Sequence, residues 1–194
     1  MWRRKLNHLT LNVPEADFRL ETPKLSDYLS WKSARERNRE HLQPFEPVWK
    51  DDAFLKSTFR RFVEHAQHDL VNDGGVVLLL KRLADDDIIG GINLRNIRRG
   101  SADMGTLGYW IASEYGGAGR MKRSVARVVE FGFWNYELHR IEAACVPENE
   151  SSAKVLLANG FEEEGFAKSY LRINGEWRDH RLFGRVRPDH AIHI

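Results

Sequence analysis

The sequence contains very little cysteine, few prolines and almost no excess charge: 1 Cys and 6 Pro among 194 residues, with a formal net charge of +2. The single Cys145 excludes a disulfide within the chain, which fits the reducing cytoplasm. No apolar run approaches the roughly 18 residues of a membrane-spanning helix, and residues 1–11 are basic without the apolar core of a signal peptide. The small net charge provides no global attraction to nucleic acid. We therefore expect a cytoplasmic protein with no membrane partner and no direct nucleic-acid partner.

What remains is the composition of an ordinary folded domain, 42% hydrophobic and 30% charged. At this length one domain is the natural expectation, and we place it at residues 18–186. Residues 1–17 are predicted to be a flexible N-terminal segment and residues 187–194 a frayed tail. Three local basic clusters lie at residues 3–5, 98–99 and 120–123. They are compatible with a binding partner that presents an acidic surface.

The most informative stretch is residues 107–122, where an apolar run leads through a glycine-dense turn into a helical pattern. The apolar residues 107–112 predict a buried strand, and the later apolar spacing predicts an amphipathic helix. A strand, a glycine turn and a helix together aim free backbone N–H groups at an anion. Gly116, Gly117 and Gly119 can adopt positive φ and allow an anion to approach the main chain closely.

The charges beside this turn agree with a bound anion. Arg120, Lys122 and Arg123 crowd the start of the helix, where the macrodipole makes each cation unfavourable by roughly 0.3–1 kcal/mol. A nearby negative group explains this excess; a solvated basic face after an ordinary loop is the alternative. The stretch is not a Walker A loop, because Gly-Lys-Ser/Thr is absent, and it lacks the third glycine of a dinucleotide fingerprint.

The rest of the chain alternates between strand and helix patterns. Further strands are predicted at residues 18–20, 76–80, 88–97, 140–146, 166–173 and 176–186, the last two joined by the hairpin turn Asn174-Gly175. Further helices are predicted to begin at the Thr22-Pro23 cap, at residue 52 and at the Asn149 cap. This order predicts an α/β protein with a mixed sheet and helices on both faces.

A stiff loop interrupts the first helical region, where two prolines flank an aromatic and an acidic residue in Pro44-Phe45-Glu46-Pro47. Proline fixes its own φ and restricts the residue before it, so this loop has little freedom. It is either a packed connector or a wall of a substrate cleft, and the sequence leaves both interpretations open.

The glycine turn resembles the acetyl-CoA pyrophosphate loop of the GCN5-related N-acetyltransferase (GNAT) superfamily, whose pattern is Gln/Arg-x-x-Gly-x-Gly/Ala. Gly117 and Gly119 occupy the glycine positions, while Glu114, Ala118 and Arg123 depart from the family's frequent residues. The resemblance implies the GNAT fold, a mixed and mostly antiparallel twisted sheet of six to seven strands with helices on both faces. It also implies acetyl-CoA as cosubstrate. No metal is predicted, because His139 and His180 have no metal-ligand spacing.

The same resemblance implies which residues contact acetyl-CoA, mostly through their backbone. These are Gly116, Gly117, Ala118, Gly119, Arg120 and Met121 at the diphosphate, the N–H groups near Ile111 and Ala112 at the oxyanion where the strand splays, and Asn149 at the pantetheine arm. For Asn149, capping its own helix is an alternative role that is compatible with the first.

More selective motifs point to one branch of the superfamily. They are Leu42-x-Pro44-x-Glu46-Pro47, His139-Arg140-Ile141 and Asn174-Gly175-Glu176-Trp177-Arg178-Asp179-His180. Together they resemble the ribosomal-protein-alanine N-acetyltransferases of the RimJ/RimL type. This resemblance implies an enzyme that acetylates the N-terminal amine of a ribosomal protein by direct attack, as a monomer or weak homodimer.

Acetyl transfer to an amine needs a held acyl donor, a neutral amine, a stabilised oxyanion and a proton for the departing thiolate. An α-amine with a pKa of about 7.7–8.0 is roughly one-tenth neutral at pH 7. Such an acceptor therefore needs little help from a general base. Ser152 stands at the family's serine position and is the candidate acid for the thiolate. A first-turn helix serine without chemistry is the alternative.

Other candidate residues carry weaker signals. Glu142 is the candidate internal base because its strand neighbours alternate to the other face, and a surface carboxylate is the alternative. Pro44, Phe45 and Glu46 are candidates for binding the acceptor, with the Glu46 carboxylate holding its ammonium. Cys145 is interpreted as a core residue, because no His/Asn pattern supports a nucleophile.

Three functions from two classes stay open. The first is acetylation of a protein N-terminus, and the second is acetylation of a small-molecule amine by the same fold. The third is a non-catalytic acyl-CoA-binding module, which the departures at Glu114, Ala118 and Arg123 motivate.

Overall fold

The computed structural model describes residues 8–188. In it the strands of the chain form one eight-stranded sheet. The strands are β1 (Thr10–Asn12), β2 (Phe18–Glu21), β3 (Gly75–Arg82), β4 (Ile88–Arg98), β5 (Met104–Ile111), β6 (Arg140–Cys145), β7 (Glu162–Ile173) and β8 (Glu176–Val186). They lie in the order β1-β2-β3-β4-β5-β6-β8-β7. Neighbouring strands are antiparallel except for β5 and β6, which are parallel. The predicted α/β class and the mixed, mostly antiparallel sheet are confirmed.

The sheet has one strand more than the upper end of the predicted six to seven. The additional strand is β1, which lies inside the segment 1–17 that we predicted to be flexible. It pairs with β2 in the register Thr10↔Glu21, and its central residue Leu11 is buried. Three residues are too few to show an alternation, so the pattern carried no signal. The folded part of the chain therefore begins before the predicted boundary at residue 18.

Both chain ends lie outside the described residues, namely residues 1–7 and 189–194. The basic cluster at residues 3–5 and most of the predicted frayed tail fall there.

Five α-helices connect the strands: α1 (Tyr28–Arg37), α2 (Arg39–Leu42), α3 (Lys56–Val71), α4 (Arg120–Trp134) and α5 (Glu150–Leu157). The Thr22-Pro23 start for the first helix is wrong. Thr22 is buried, and its hydroxyl accepts a hydrogen bond from the Leu9 amide at 3.1 Å instead of capping a helix. The predicted start of α3 at residue 52 is also wrong, because turns occupy residues 51–54.

The helices cover both faces of the sheet, as predicted, and strand β3 shows why. Val76, Leu78 and Leu80 belong to the apolar core shared with α4. The alternate residues Val77 and Leu79 are also buried, on the face where α3 packs against β3. A strand covered on both sides loses the polar alternation of a half-exposed strand, which explains its continuous apolar run.

Candidate active site

The glycine turn predicted from the sequence forms the entrance to α4. Strand β5 ends at Ile111, a 3-10 turn spans Ser113–Tyr115, and α4 begins at Arg120. Gly117 and Gly119 both adopt left-handed backbone, with φ of 78° and 70°. A Cβ added to either one would meet no atom within 4 Å, so this stretch of main chain faces open space. Glycine is favoured here by the backbone conformation and not by crowding.

The amides that follow the turn have no acceptor in the part of the chain that the structure describes. Within residues 8–188, no carbonyl or side chain accepts a hydrogen bond from the N–H groups of residues 117–122, and the first helical bond runs from the Arg123 amide to the Gly119 carbonyl at 3.0 Å. Gly116 differs from its neighbours, because its N–H donates to the Ser113 carbonyl at 3.1 Å. A row of free amides at a helix N-terminus is a favourable environment for an anion.

The turn is held in place by the end of α1. The buried Asn38 accepts hydrogen bonds through its Oδ1 from the Ser113 amide at 2.7 Å and from the Ser113 hydroxyl at 2.8 Å. Glu114, one of the departures from the family pattern, lies 3.6 Å from the Arg37 guanidinium. The 3-10 turn is therefore anchored to the end of α1, and the glycines after it start from a defined position.

The basic residues at the start of α4 are partly compensated. The Arg120 guanidinium donates to the Asp17 carboxylate at 2.6 Å, and this hydrogen bond lowers the pKa of Asp17 below its ordinary value. Arg123 donates to the Glu15 carbonyl at 3.4 Å. The cation excess noted in the sequence is thus reduced by the β1–β2 connection, which no local pattern indicated.

The two central strands of the sheet diverge beside this turn. Strands β5 and β6 pair only at Met104↔Arg140, Gly105↔Ile141 and Thr106↔Glu142. Beyond Thr106 the facing edges of the two strands are unpaired, and a split opens between them. Successive amides of a strand point to opposite edges, so every second N–H of β5 faces this split.

One of the predicted oxyanion donors faces away from the split. The Ala112 amide donates to the Ile89 carbonyl near the start of β4, at 2.9 Å. The prediction that its N–H is free is wrong, because the extended pairing with the β4 side continues one residue beyond β5. By alternation the N–H groups of Ile111 and Tyr109 point the other way, into the split.

Ser152 stands on the far side of the split at the start of α5. Its amide donates to the Oδ1 of Asn149, the N-cap residue, at 3.0 Å, so the predicted cap is confirmed. Its Oγ lies 2.9 Å from the hydroxyl of Tyr109, which reaches across from β5 and also lies 3.1 Å from the Ser152 carbonyl. The Cys145 thiol is buried next to this pair, and burial raises its pKa. Cys145 is therefore a core residue, as predicted.

Tyr109 was not among the predicted site residues. Its position in β5, two residues after the buried Leu107, placed it on the core face by alternation, and that was the only signal available. Burial raises the pKa of the Tyr109 hydroxyl far above its ordinary value, so the group stays protonated.

Glu142 lies at the last paired position before the split, opposite Thr106. Its carboxylate accepts a hydrogen bond from the Arg140 Nε at 2.9 Å, and the Arg98 guanidinium stands 3.9 Å away. The candidate base thus lies beside the split, within a set of ion pairs.

The proline loop packs against α1 and the C-terminal hairpin. The Glu46 carboxylate accepts two hydrogen bonds from Arg35 and one from Trp49 Nε1 at 2.8 Å. The Arg35 guanidinium lies 4.5 Å from the centre of the Trp49 ring and 4.9 Å from that of Trp110 in β5. Pro44 and Phe45 form a 3-10 turn above this cluster. The carboxylate that we expected to hold an ammonium is engaged with Arg35, so the loop is at least a packed connector.

The described part of the chain contains neither a cluster of metal ligands nor a helix suited to span a membrane. No group of three or more His, Cys, Asp or Glu side chains there could hold a metal ion. None of the helices within residues 8–188 combines the length and apolar character needed to cross a bilayer.

Comparison with known proteins agrees with this geometry. The sequence model of a family described as "Acetyltransferase (GNAT) domain" matches residues 17–162. The [Ribosomal protein uS5]-alanine N-acetyltransferase of Escherichia coli is 32% identical over 92% of this chain and 94% of its own length. The crystal structure of ribosomal-protein-S5-alanine acetyltransferase from Vibrio fischeri has a TM-score of 0.87 at 34% identity, covering 93% of this chain and 98% of that one. Mycobacterium smegmatis RimJ in complex with CoA-disulfide has a TM-score of 0.82 at 28% identity, covering 92% and 86%.

Proposed function

Because the chain belongs to the GNAT family of N-acetyltransferases, we propose that it transfers an acetyl group from acetyl-CoA to the N-terminal α-amine of a protein, in particular a ribosomal protein. The observation that carries this proposal is the row of free amides at residues 117–122 beside the split between β5 and β6. Relatives named as ribosomal-protein acetyltransferases support the acceptor class.

The amides from Gly117 to Met121 suit the diphosphate of acetyl-CoA, the cosubstrate that supplies the acetyl thioester. They are free, they point from a helix N-terminus, and no Cβ at Gly117 or Gly119 blocks their approach. Anions at such a site are stabilised by the N–H groups and the helix dipole together. Ala118 and Arg120 contribute backbone amides here, whereas Gly116 has its N–H occupied.

The split between β5 and β6 suits the thioester end of acetyl-CoA. We assign the oxyanion contact to the Ile111 N–H, which points into the split, in place of the occupied Ala112 amide. A fixed N–H donor aimed at developing negative charge is a large source of rate enhancement. Ser152 protonates the departing thiolate from the other side. Asn149 holds the first turn of α5 in position, and its contact with the pantetheine arm stays a prediction.

The acceptor amine enters from the face of the sheet that carries Glu142. An α-amine needs little help to lose its proton at neutral pH, so Glu142 serves as an auxiliary base beside the split. The loop of Pro44 and Phe45 forms a wall above Trp110, and Glu46 builds that wall by binding Arg35. A direct contact between Glu46 and the acceptor ammonium stays a prediction.

Radiolabelled acetyl-CoA tests the acceptor class. We expect label on peptides that begin with Ala or Ser, and none on the same peptides with a blocked N-terminus and an internal lysine. The mass of each ribosomal protein after incubation with enzyme and acetyl-CoA then identifies the natural acceptor. Transfer to polyamines or aminoglycosides alone would make the acceptor a small molecule. Acetyl-CoA binding in a thermal-shift assay without transfer to any amine would leave a binding module.

Removal of the Ser152 hydroxyl tests the assigned acid. Ser152→Ala is expected to lower kcat roughly 10²-fold, the lower end of the range for general acid catalysis, with little change in the KM for acetyl-CoA. Ser151→Ala is the matched control, since Ser151 is an exposed residue in the same helical turn. Equal kcat values for the two variants would assign Ser152 to structure alone.

A further inference from the structure

A hydrogen bond between Tyr109 and Ser152 joins the two sides of the split. The residues are 43 positions apart in sequence, and their hydroxyl oxygens lie 2.9 Å apart. Tyr109 belongs to β5, which offers its free amides to the split, and Ser152 to the first turn of α5. Beyond Thr106 no β5–β6 pair bridges the strands, so this contact fixes the distance between the two walls near the assigned acid.

We propose that Tyr109 is a positioning residue that orients the Ser152 hydroxyl for proton donation into the split. This inference rests on the proposed function, because it assigns a partner to the acid of that reaction.

Counting donors and acceptors explains the orientation. A serine hydroxyl has one hydrogen and two acceptor sites, and a tyrosine hydroxyl likewise has a single hydrogen to give. The Tyr109 hydrogen has two acceptors within reach, the Ser152 Oγ at 2.9 Å and the Ser152 carbonyl at 3.1 Å. The carbonyl is already placed to accept the helical amide four residues later, so we assign the Tyr109 hydrogen to the shorter contact with Oγ. With that hydrogen donated to Oγ, the Ser152 hydrogen can go to the split or to the Cys145 thiol, which also lies within its reach. A neutral thiol is only a weak acceptor, so the Ser152 hydrogen points into the split.

Burial keeps the Tyr109 hydroxyl and the neighbouring Cys145 thiol protonated, as this arrangement requires. Burial raises the pKa of the Tyr109 hydroxyl, so it remains a donor throughout the working pH range. The neighbouring titratable group is the Cys145 thiol, whose pKa burial also raises, which keeps it neutral. Behind the thiol lie the charged Arg181, Glu150 and Glu163. Arg181 binds Glu163 at 2.6 Å, so these outer charges largely compensate one another.

The protons of the acetyl transfer balance when Ser152 is the acid and Tyr109 is its hydrogen-bond partner. The amine nitrogen forms a bond to the acetyl carbon, and the carbon–sulfur bond breaks with its electron pair on sulfur. The sulfur receives the Ser152 proton, while the Tyr109 hydrogen bond stabilises the charge left on Oγ. The proton that the amine releases returns through solvent to Ser152, so neither hydroxyl is consumed.

A double-mutant cycle on the full-length protein tests the coupling. Tyr109→Phe keeps the ring and is expected to lower kcat about tenfold, the scale of one hydrogen bond, with the KM for acetyl-CoA changed less than about twofold. In the Ser152→Ala background the same substitution is expected to have no further effect. Additive losses in the double variant would overturn the proposal.

The matched control is Tyr136→Phe. Tyr136 is a buried tyrosine whose hydroxyl donates to the Gly75 carbonyl at 2.9 Å, a structural contact outside the split. We expect this variant to lose stability without a selective loss of kcat. A tenfold kcat loss in the control as well would mean that Tyr109→Phe reports only on packing.

A second readout requires no acceptor. The thiol pKa of bound coenzyme A, followed through the ultraviolet absorbance of its thiolate against a desulfo-coenzyme A blank, is expected to rise by about one unit in Tyr109→Phe. An unchanged thiol pKa would refute the positioning role even if the enzyme is active. Conversely, failure to label any amine would defeat the proposed function, while this titration would still decide the role of Tyr109.

Discussion

Gly117→Val is expected to weaken acetyl-CoA binding roughly thousandfold. Gly117 has a φ of 78°, and a β-branched residue strongly disfavours that conformation. The substituted turn would reorient the amides that follow it and place a branched side chain where the diphosphate must approach. Losing two hydrogen bonds to a charged group costs about 3–6 kcal/mol in total, which corresponds to a factor of roughly 10² to 10⁴ in Kd. Isothermal titration calorimetry with acetyl-CoA measures the effect.

Gly100→Val is the matched control for this variant. Gly100 has a φ of 75°, and a Cβ added there also meets nothing within 4 Å, but it lies in the β4–β5 turn, outside the entrance to α4. Both substitutions therefore carry a similar backbone strain of about 1–3 kcal/mol, which urea unfolding can verify. Only Gly117→Val is expected to lose affinity for acetyl-CoA. Native affinity in that variant would place the diphosphate elsewhere.

Lys81→Met is expected to destabilise the protein by about 3–5 kcal/mol, the cost of removing one partner from a buried ion pair. The Lys81 ammonium lies 3.0 Å from the Glu21 carboxylate and 2.8 Å from that of Asp27, and the side chains of Lys81 and Glu21 are 3% and 4% exposed. Methionine fills a similar volume but leaves Glu21 buried with less compensation. Urea unfolding at neutral pH measures the loss.

Lys24→Met provides the comparison, because Lys24 binds the same Glu21 carboxylate from a side chain that is 47% exposed. Water screens the exposed Lys24 ammonium, as it does in surface ion pairs, and Lys81 stays beside Glu21 in this variant, so Lys24→Met should lose clearly less stability than Lys81→Met. Similar losses in the two variants would mean that burial does not distinguish the two lysines.

The pH dependence of stability should follow Glu21. Although burial opposes ionisation, hydrogen bonds from Lys24 and Lys81 lower the pKa of Glu21 from 4.5 to about 2. A lowered carboxylate pKa stabilises the fold above the ordinary value, and this contribution is lost as pH falls towards about 2. The stability difference between the wild type and Lys81→Met is thus expected to shrink between pH 4.5 and pH 2. A constant difference over that interval would contradict the assignment.

Several features were predictable because they depend on residues close together in the chain. The left-handed glycines before α4, the Asn149 cap and the Asn174-Gly175 turn, whose φ values are 46° and 88°, all follow from local backbone preferences. The errors have an equally physical origin. The residues around Thr22 have the pattern of a helix cap, but the Thr22 hydroxyl accepts a hydrogen bond from the Leu9 amide instead.

The sequence by itself determined the class of fold, the order of most of its elements and the left-handed glycine turn before α4, since apolar periodicity and glycine placement act over a few residues. Only the tertiary structure decided which amides are free, that Glu46 is engaged by Arg35, that Lys81 and Glu21 are buried together, and that Tyr109 reaches Ser152. Each of these contacts joins segments whose separation in sequence says nothing about their distance in space. They exist because the sheet brings its strands and covering helices into one packed arrangement, and that arrangement is a property of the whole chain.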